Sequence, residues 1–471
     1  MKRFIRKIIL GGLILLFIWQ ILYLWLGDMS GHIFMGEDYE ANANVVLYPK
    51  QIWVNTNRTV HKLQGNNEIY DLRYRLIQEV TDNIKKNKVK EERIVSNDYA
   101  TLLSSTNGIM YEYGLPLALD EILLSKDYKA DVTNIKNVYI AENASSSKFT
   151  DIYLISADDT IQKKLVAHSE LTLNKKIYDY YLGIENTGAD KEENNYRASI
   201  LNNDSNNFLE KNIFLAIADY ENGINYNLVE FAIDEEIVDK HGVDNYTSDL
   251  FKNPNMISKI VDADKILYSD NLSTTVKYYN NGVIEYMKTT SNNDAVAKLT
   301  SAQQLEVVLS FINKSKSIPL GLKNGLYLKD ITKIDGGNRY TFGYQVDNVD
   351  VKFSDNFKAE IGADEFLTLD AKNNEIVGGK WVMYSPIVNY DRVFEYHVAT
   401  DEAMNTGIED IYQQMEMQRI QVPDNLEVKI VDMECVYEVE ELNTTASFVW
   451  TITSEIYDDS EDRKIVEVIY K

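Results

Sequence analysis

The feature that most constrains this chain stands at its start, MKRFIRKIILGGLILLFIWQILYLWLGDMS. From Ile8 to Leu26 run 19 residues, of which only Gln20 is clearly polar. At about 1.5 Å rise per residue, a helix of that run is about 28 Å long, close to the hydrocarbon thickness of a bilayer. A cleaved export signal has a shorter apolar core, about 7–15 residues, followed by a small-residue cleavage site. Here the exit reads YLWLGDMS, and no cysteine lies nearby to carry a lipid. Residues 8–26 are therefore expected to stay as a single transmembrane helix. Lys2, Arg3, Arg6 and Lys7 make residues 1–7 a basic stub that keeps the N-terminus in the cytoplasm. Trp19, Tyr23 and Trp25 cluster at the far end, where amphipathic rings favour the interface. Residues 27–44 read as a polar stem, and everything beyond lies outside the cytoplasm.

The same helix offers a surface for other helices. Gly11 and Gly12 permit close approach of backbones, and Gln20 can hydrogen-bond a neighbouring helix inside the membrane. With Leu16, Trp19 and Tyr23 they form the candidate partner-binding face. The plainer alternative is that Gln20, within two turns of the outer interface, is simply tolerated there.

No later stretch reaches 18 uninterrupted apolar residues. With 471 residues and 32 Tyr and 15 Phe to fill cores, the rest has room for about three domains of ~150 residues each. The formal net charge is −25, and without the four basic residues of the stub the ectodomain stands near −29. Such a surface is repelled by phosphate backbones and anionic lipids, so nucleic acid and polyanionic polymers are poor partners. The one cysteine, Cys435, excludes an intramolecular disulfide. In VDMECVYEV, Val431, Met433, Cys435, Tyr437 and Val439 alternate with Asp432, Glu434, Glu438 and Glu440, which reads as a half-buried strand with the cysteine facing in.

Pattern along the chain gives an α+β class with antiparallel sheets and flanking helices. Three units are expected, at residues 45–184, 185–294 and 295–471. The first opens with the strand VVLYPKQIWVNT and carries a helix with Ile69, Leu72, Leu76, Val80 and Ile84 at helical spacing. GIMYEYGLPLALDEIL reads as a strand and turn, and the Asn-rich stretch 185–208 as a loop. In the second unit LFKNPNMISKIVD reads as a helical patch. Asn281-Gly282 marks a two-residue hairpin with positive φ at both turn positions. The third unit opens with a capping box, Thr300 and Gln303, ahead of a stripe of Leu305, Val308, Leu309 and Ile312. A helix near 401–418 and three final strands complete it.

Chemistry is sparse. His32, His61, His168, His241 and His397 are far apart and form no metal-binding spacing. No catalytic, cofactor-binding or metal-binding residue is assigned, and no cofactor is expected. Ser145-x-x-Lys148, Ser269-Asp270-Asn271 and Lys288-Thr289-Thr290 follow the order of the motifs of wall-peptide acyl transferases. Their contexts differ: Ser145 falls in a polar loop, Thr290 replaces the glycine, and Lys288 follows Asn271 by only 17 positions. The acidic loop with Asp262 and Asp264 lacks the central glycine and final glutamate of an EF-hand and reads as a solvated turn.

Several stretches together carry a resemblance: YPKQIWV, GIMYEYGLPLALDEIL, DLFKNPNMI, VKYYNNGVIEY, and in the C-terminal unit YTFGYQVDNVDVKF and ASFVWTI. With the anchor and the acidic ectodomain, the chain resembles the YycH-type accessory regulators of the WalK sensor kinase of low-GC Gram-positive bacteria. Its C-terminal unit is similar to the domain shared with the sister regulator YycI. The resemblance implies a three-domain α+β ectodomain without catalysis, a YycI-like partner, and transmembrane contacts to the kinase that adjust cell-wall homeostasis. The alternatives are an envelope scaffold or a relative of the wall acyl-transfer enzymes.

Overall fold

The computed structural model describes residues 45–57, 59–63, 67–94, 98–125, 132–187, 197–200, 214–216, 223–233, 240–270, 272–289, 299–417, 427–457 and 463–470. The stub, the apolar run and the stem lie outside them. So do Lys2, Arg3, Arg6, Lys7, Gly11, Gly12, Leu16, Trp19, Gln20 and Tyr23. Among the described residues no helix is long and apolar enough to cross a membrane.

The fold is mixed α+β, and among the described residues the strands pair antiparallel at all but one pairing. The first sheet has nine strands: β1 (Gln51–Asn55), β2 (Val60–Lys62), β3 (Val89–Glu92), β4 (Gly108–Leu117), β5 (Ile135–Asn143), β6 (Lys148–Ser156), β7 (Ile161–Ala167), β8 (Arg197–Ile200) and β9 (Phe214–Ala216). Their spatial order is β3-β7-β6-β5-β4-β1-β2-β8-β9, so the first strand of the chain lies near the middle. Within the stretch expected to be a loop, Arg197–Ile200 is instead a strand paired to β2.

Helices cover both faces of this sheet. On one side lie α1 (Asn67–Lys85) and, further along the chain, the helix at Thr172–Thr187. Leu76, Ile77, Val80 and Ile84 of α1 are buried, the outcome of their i, i+4 and i+3 spacing. On the other side lies α2 (Tyr99–Ser105), capped by Asp98, whose side chain accepts from Thr101 N at 3.2 Å. Asn55 ties it down through Nδ2 to Leu103 O at 2.7 Å. The expected turn after β4 contains a short helix, α3 (Leu119–Leu123). The helix at Thr172–Thr187 is α4; the carboxylate of Glu79 on α1 accepts from Leu173 N and Asn174 N at its start, where anions are favoured.

β10 (Ile224–Ile233) starts a two-stranded ribbon, and α5 (Lys240–Ser248) follows it. The twelve-stranded sheet then begins with β11 (Ser258–Val261), β12 (Lys265–Ser269), β13 (Thr274–Tyr279) and β14 (Val283–Lys288). The segment 250–262 is not the helical patch expected. Pro254 starts one 3-10 turn, and the β-branched end, Ser258–Val261, pairs with β12. The hairpin at Asn281-Gly282 is present, with a different turn. Tyr278 pairs with Ile284, Gly282 N donates to Tyr279 O at 2.8 Å, and in this turn only Gly282 has positive φ (+80°). This is a three-residue connection with glycine in the left-handed position.

α6 (Ser301–Lys314) carries the expected capping box and buries Leu305, Val308, Leu309 and Ile312. Next come α7 (Leu320–Gly325), β15 (Leu326–Ile334), β16 (Gly337–Val346), β17 (Val349–Phe353), α8 (Asp355–Ile361), β18 (Leu367–Lys372) and β19 (Glu375–Val382). β20 (Tyr384–Tyr396) returns to pair with β10. α9 (Thr400–Met417) precedes β21 (Glu427–Val439), β22 (Ser447–Tyr457) and β23 (Arg463–Tyr470). The sheet order is β11-β12-β13-β14-β19-β18-β16-β17-β21-β22-β23, with β15 beside β16 and β17–β21 the parallel pair.

The borders expected at 185 and 295 do not coincide with the sheets. β8 and β9 pair into the first sheet, and β14 pairs with β19 across residue 295. The β16–β17 turn, Asp347-Asn348, has positive φ at both positions (51° and 62°), the geometry of the tightest hairpin turn.

Candidate functional site

Among the described residues, a set of charged side chains largely withdrawn from solvent lies where the two large sheets meet. β21 was expected to point its acidic residues at water. Met433, Cys435, Tyr437 and Val439 are buried as read, but so are Glu434, Val436 and Glu438 on the opposite face. The reason is tertiary: the first sheet covers that face.

Lys50, just ahead of β1, reaches across. Its Nζ stands 2.8 Å from Glu434 Oε1, 3.3 Å from Asp432 Oδ2 and 3.4 Å from Asp350 Oδ2 on β17. Gln51 Nε2 donates to Glu434 Oε2 at 2.7 Å. Lys62 on β2 places Nζ 3.9 Å from that oxygen and 5.8 Å from the centroid of the Trp53 ring. Asp350 also accepts from Gln345 Nε2 at 2.5 Å and from the Tyr327 hydroxyl at 3.0 Å. The side chains of Lys50, Lys62, Asp350 and Glu434 are 13, 2, 3 and 7% exposed, whereas Asp432 is 46% exposed and forms the rim.

The electrostatics follow from this packing. Burial opposes a charge on Lys50, but Asp350, Glu434 and Asp432 together hold its ammonium well above the usual range. Lys62 has poorer partners, so burial wins and lowers it. Burial would raise Asp350, yet Lys50 and Lys62 outweigh it and hold this carboxyl low. Burial and the neighbouring Asp350 charge push Glu434 up to about 7 despite Lys50. Burial likewise pushes the Cys435 thiol up. Cys435 is a packed, unreactive core residue, as its place in the strand indicated.

Other contacts extend the seam. Gly114 on β4 lies against β15, so that an added Cβ would come within 2.3 Å of Leu328 O. Asn348 in the β16–β17 turn donates through Nδ2 to Leu63 O. Ser301 at the start of α6 donates to Glu121 on α3. Away from the seam, at the β10–β20 ribbon, Asp347 accepts from the Tyr390 hydroxyl and Asn227 Nδ2 at 3.3 and 3.5 Å, and burial raises its carboxyl to about 6.

The sequence-level candidates lie elsewhere. Ser145 is in the exposed β5–β6 turn, its backbone N bonded to Asn143 Oδ1, and Lys148 is the exposed start of β6. Ser269 ends β12 on the other large sheet, and Asp270 just beyond it accepts from the N–H groups of Leu272, Ser273 and Thr274. Lys288 pairs with Glu375 at 3.0 Å. Asn271 and Thr290 are outside the described residues. The three motifs are thus built into separate local structures. Asp262 and Asp264 sit in the β11–β12 turn, where Asp262 accepts from Ala263 N, and no cluster of three or more metal-type ligands occurs among the described residues. His61 is buried beside the Tyr181 ring, and His397 lies 3.4 Å from Glu395 on β20.

No protein-family model matches the chain, and no curated protein does. Among solved structures it is similar to an uncharacterized protein from Eubacterium rectale, at 11% identity and a TM-score of 0.36, over 56% of this chain and 89% of that one.

Proposed function

We propose that this chain is a membrane-anchored, non-catalytic regulator of a two-component sensor histidine kinase, of the YycH type. In this reading residues 8–26 cross the membrane with the N-terminus in the cytoplasm. Gly11, Gly12, Leu16, Trp19, Gln20 and Tyr23 meet a WalK-like kinase, and the ectodomain works beside a YycI-like sister regulator. The output is cell-wall homeostasis.

The observation that supports the reading best is the position of Lys50. It stands six residues beyond residue 44, where the chain from the apolar run enters the described body. At that point Lys50 and Gln51 are fastened to Glu434, a residue of the C-terminal strands. A displacement in either large sheet therefore acts on the segment that leads to residues 1–44, the coupling a transmitting ectodomain needs.

The test is anchor exchange. A deletion strain is complemented with the full chain or with a chain whose residues 1–27 are replaced by an unrelated single-pass anchor, and phosphorylation of the sensor kinase's response regulator is measured. Restoration by the native anchor alone is expected. Equal restoration by both would favour a scaffold, and no change on deletion would remove the kinase from the reading.

A further inference from the structure

We propose that the Lys50, Lys62, Asp350, Asp432 and Glu434 cluster is a proton-operated clasp between the two large sheets, closed when Glu434 is protonated and loosened when it ionises. The property belongs to the folded body and stands or falls independently of the kinase reading.

Charge counting is the first support. Two lysines and three carboxylates sum to −1 when all are ionised, and one proton brings the set to zero. The residue that takes it is set by position. Asp432 is half exposed at the rim and solvated, and Asp350 accepts from both Gln345 and Tyr327. Glu434 is buried between sheets, with Lys50 and Gln51 as its donors and Lys62 only at 3.9 Å.

Every element packed here contributes. Lys50 and Lys62 face Glu434 from the first sheet, Tyr327 from β15, Asp350 from β17, and Asp432 from β21 itself. Lys352 acts on both Asp350 and Asp432, and Lys136 on Asp432. The direction of coupling follows by linkage. Glu434 is raised from 4.5 to about 7 in the closed seam, so the closed form binds this proton more tightly than a solvated open form. The stabilisation is fully present below about pH 4.5 and is lost as pH rises through about 7. Between pH 6 and 8 the open-to-closed ratio rises about tenfold.

Hydrogen–deuterium exchange of the full chain in mild detergent, from pH 5.5 to 8.5 and corrected for intrinsic rates, reads this opening in peptides spanning residues 47–55 and 430–438. Protection of both should fall about tenfold between pH 6 and 8, while Glu434→Gln, an uncharged isostere, stays protected throughout. Wild-type protection that is flat or rises with pH overturns the clasp without reference to any variant. A pH dependence retained in a folded Glu434→Gln chain overturns the assignment to Glu434.

Discussion

Lys50 Nζ lies 2.8 Å from Glu434 Oε1, a contact between residues 384 positions apart in the chain. Buried pairs of this kind add little over a well-packed apolar pair, but removing one partner strands the other. Lys50→Met is therefore expected to cost about 3–5 kcal/mol in chemical denaturation. Adding Glu434→Gln should return part of that loss, because one stranded charge disappears. A loss below about 1 kcal/mol would mean that the cluster is solvated.

Gly114 tests the same seam sterically. An added Cβ would stand 2.3 Å from Leu328 O and 3.1 Å from the Tyr327 ring. The first obstacle is backbone, which cannot swing aside. Gly114→Ala should cost about 1–3 kcal/mol and increase exchange along β15. Unchanged stability would show that β4 and β15 are not in contact.

Asp347 gives a pH signature distinct from that of Glu434. Burial raises it from 3.8 to about 6. Its contribution is present below about pH 3.8 and lost as pH rises through 6. Asp347→Asn should thus gain stability relative to the wild type between pH 4 and 7, by on the order of 1–3 kcal/mol. Asn is compatible with the positive φ at this position. A difference between the two chains that does not vary with pH would contradict the burial argument.

The capping box of α6 offers a local control. Thr300 Oγ1 accepts from Gln303 N at 3.3 Å, and Gln303 Oε1 accepts from Thr300 N at 2.9 Å. Thr300→Ala should cost about 1 kcal/mol without altering the pH dependence of the seam.

Features set by neighbours in sequence were legible. The stripe of α1, the capping box of α6, the hairpin ending at Gly282 and the three C-terminal strands all follow from local spacing and turn chemistry. The α5 segment KHGVDNYTS carries only a weak helical signal, since Gly242 and the β-branched and polar residues around it disfavour the helix. The seam was not legible for a different reason. Glu434 alternates with apolar residues as a solvent-facing side chain would, and its partners Lys50, Gln51 and Lys62 lie hundreds of residues away. Alternation reports that the two faces of a strand differ, not that the polar face meets water. Burial of Lys62 beside a buried His61, on opposite faces of one short strand, becomes intelligible only once the first sheet is covered on both sides.

Cross-linking in native membranes tests the central proposal most directly. The full chain, and one with residues 1–27 replaced by an unrelated anchor, are recovered after mild cross-linking and the bound proteins identified. A sensor histidine kinase recovered with the native anchor and lost with the exchanged one is the expected result. Recovery of no kinase with either chain would contradict it, leaving the apolar run as a tether for a body that acts by some other means.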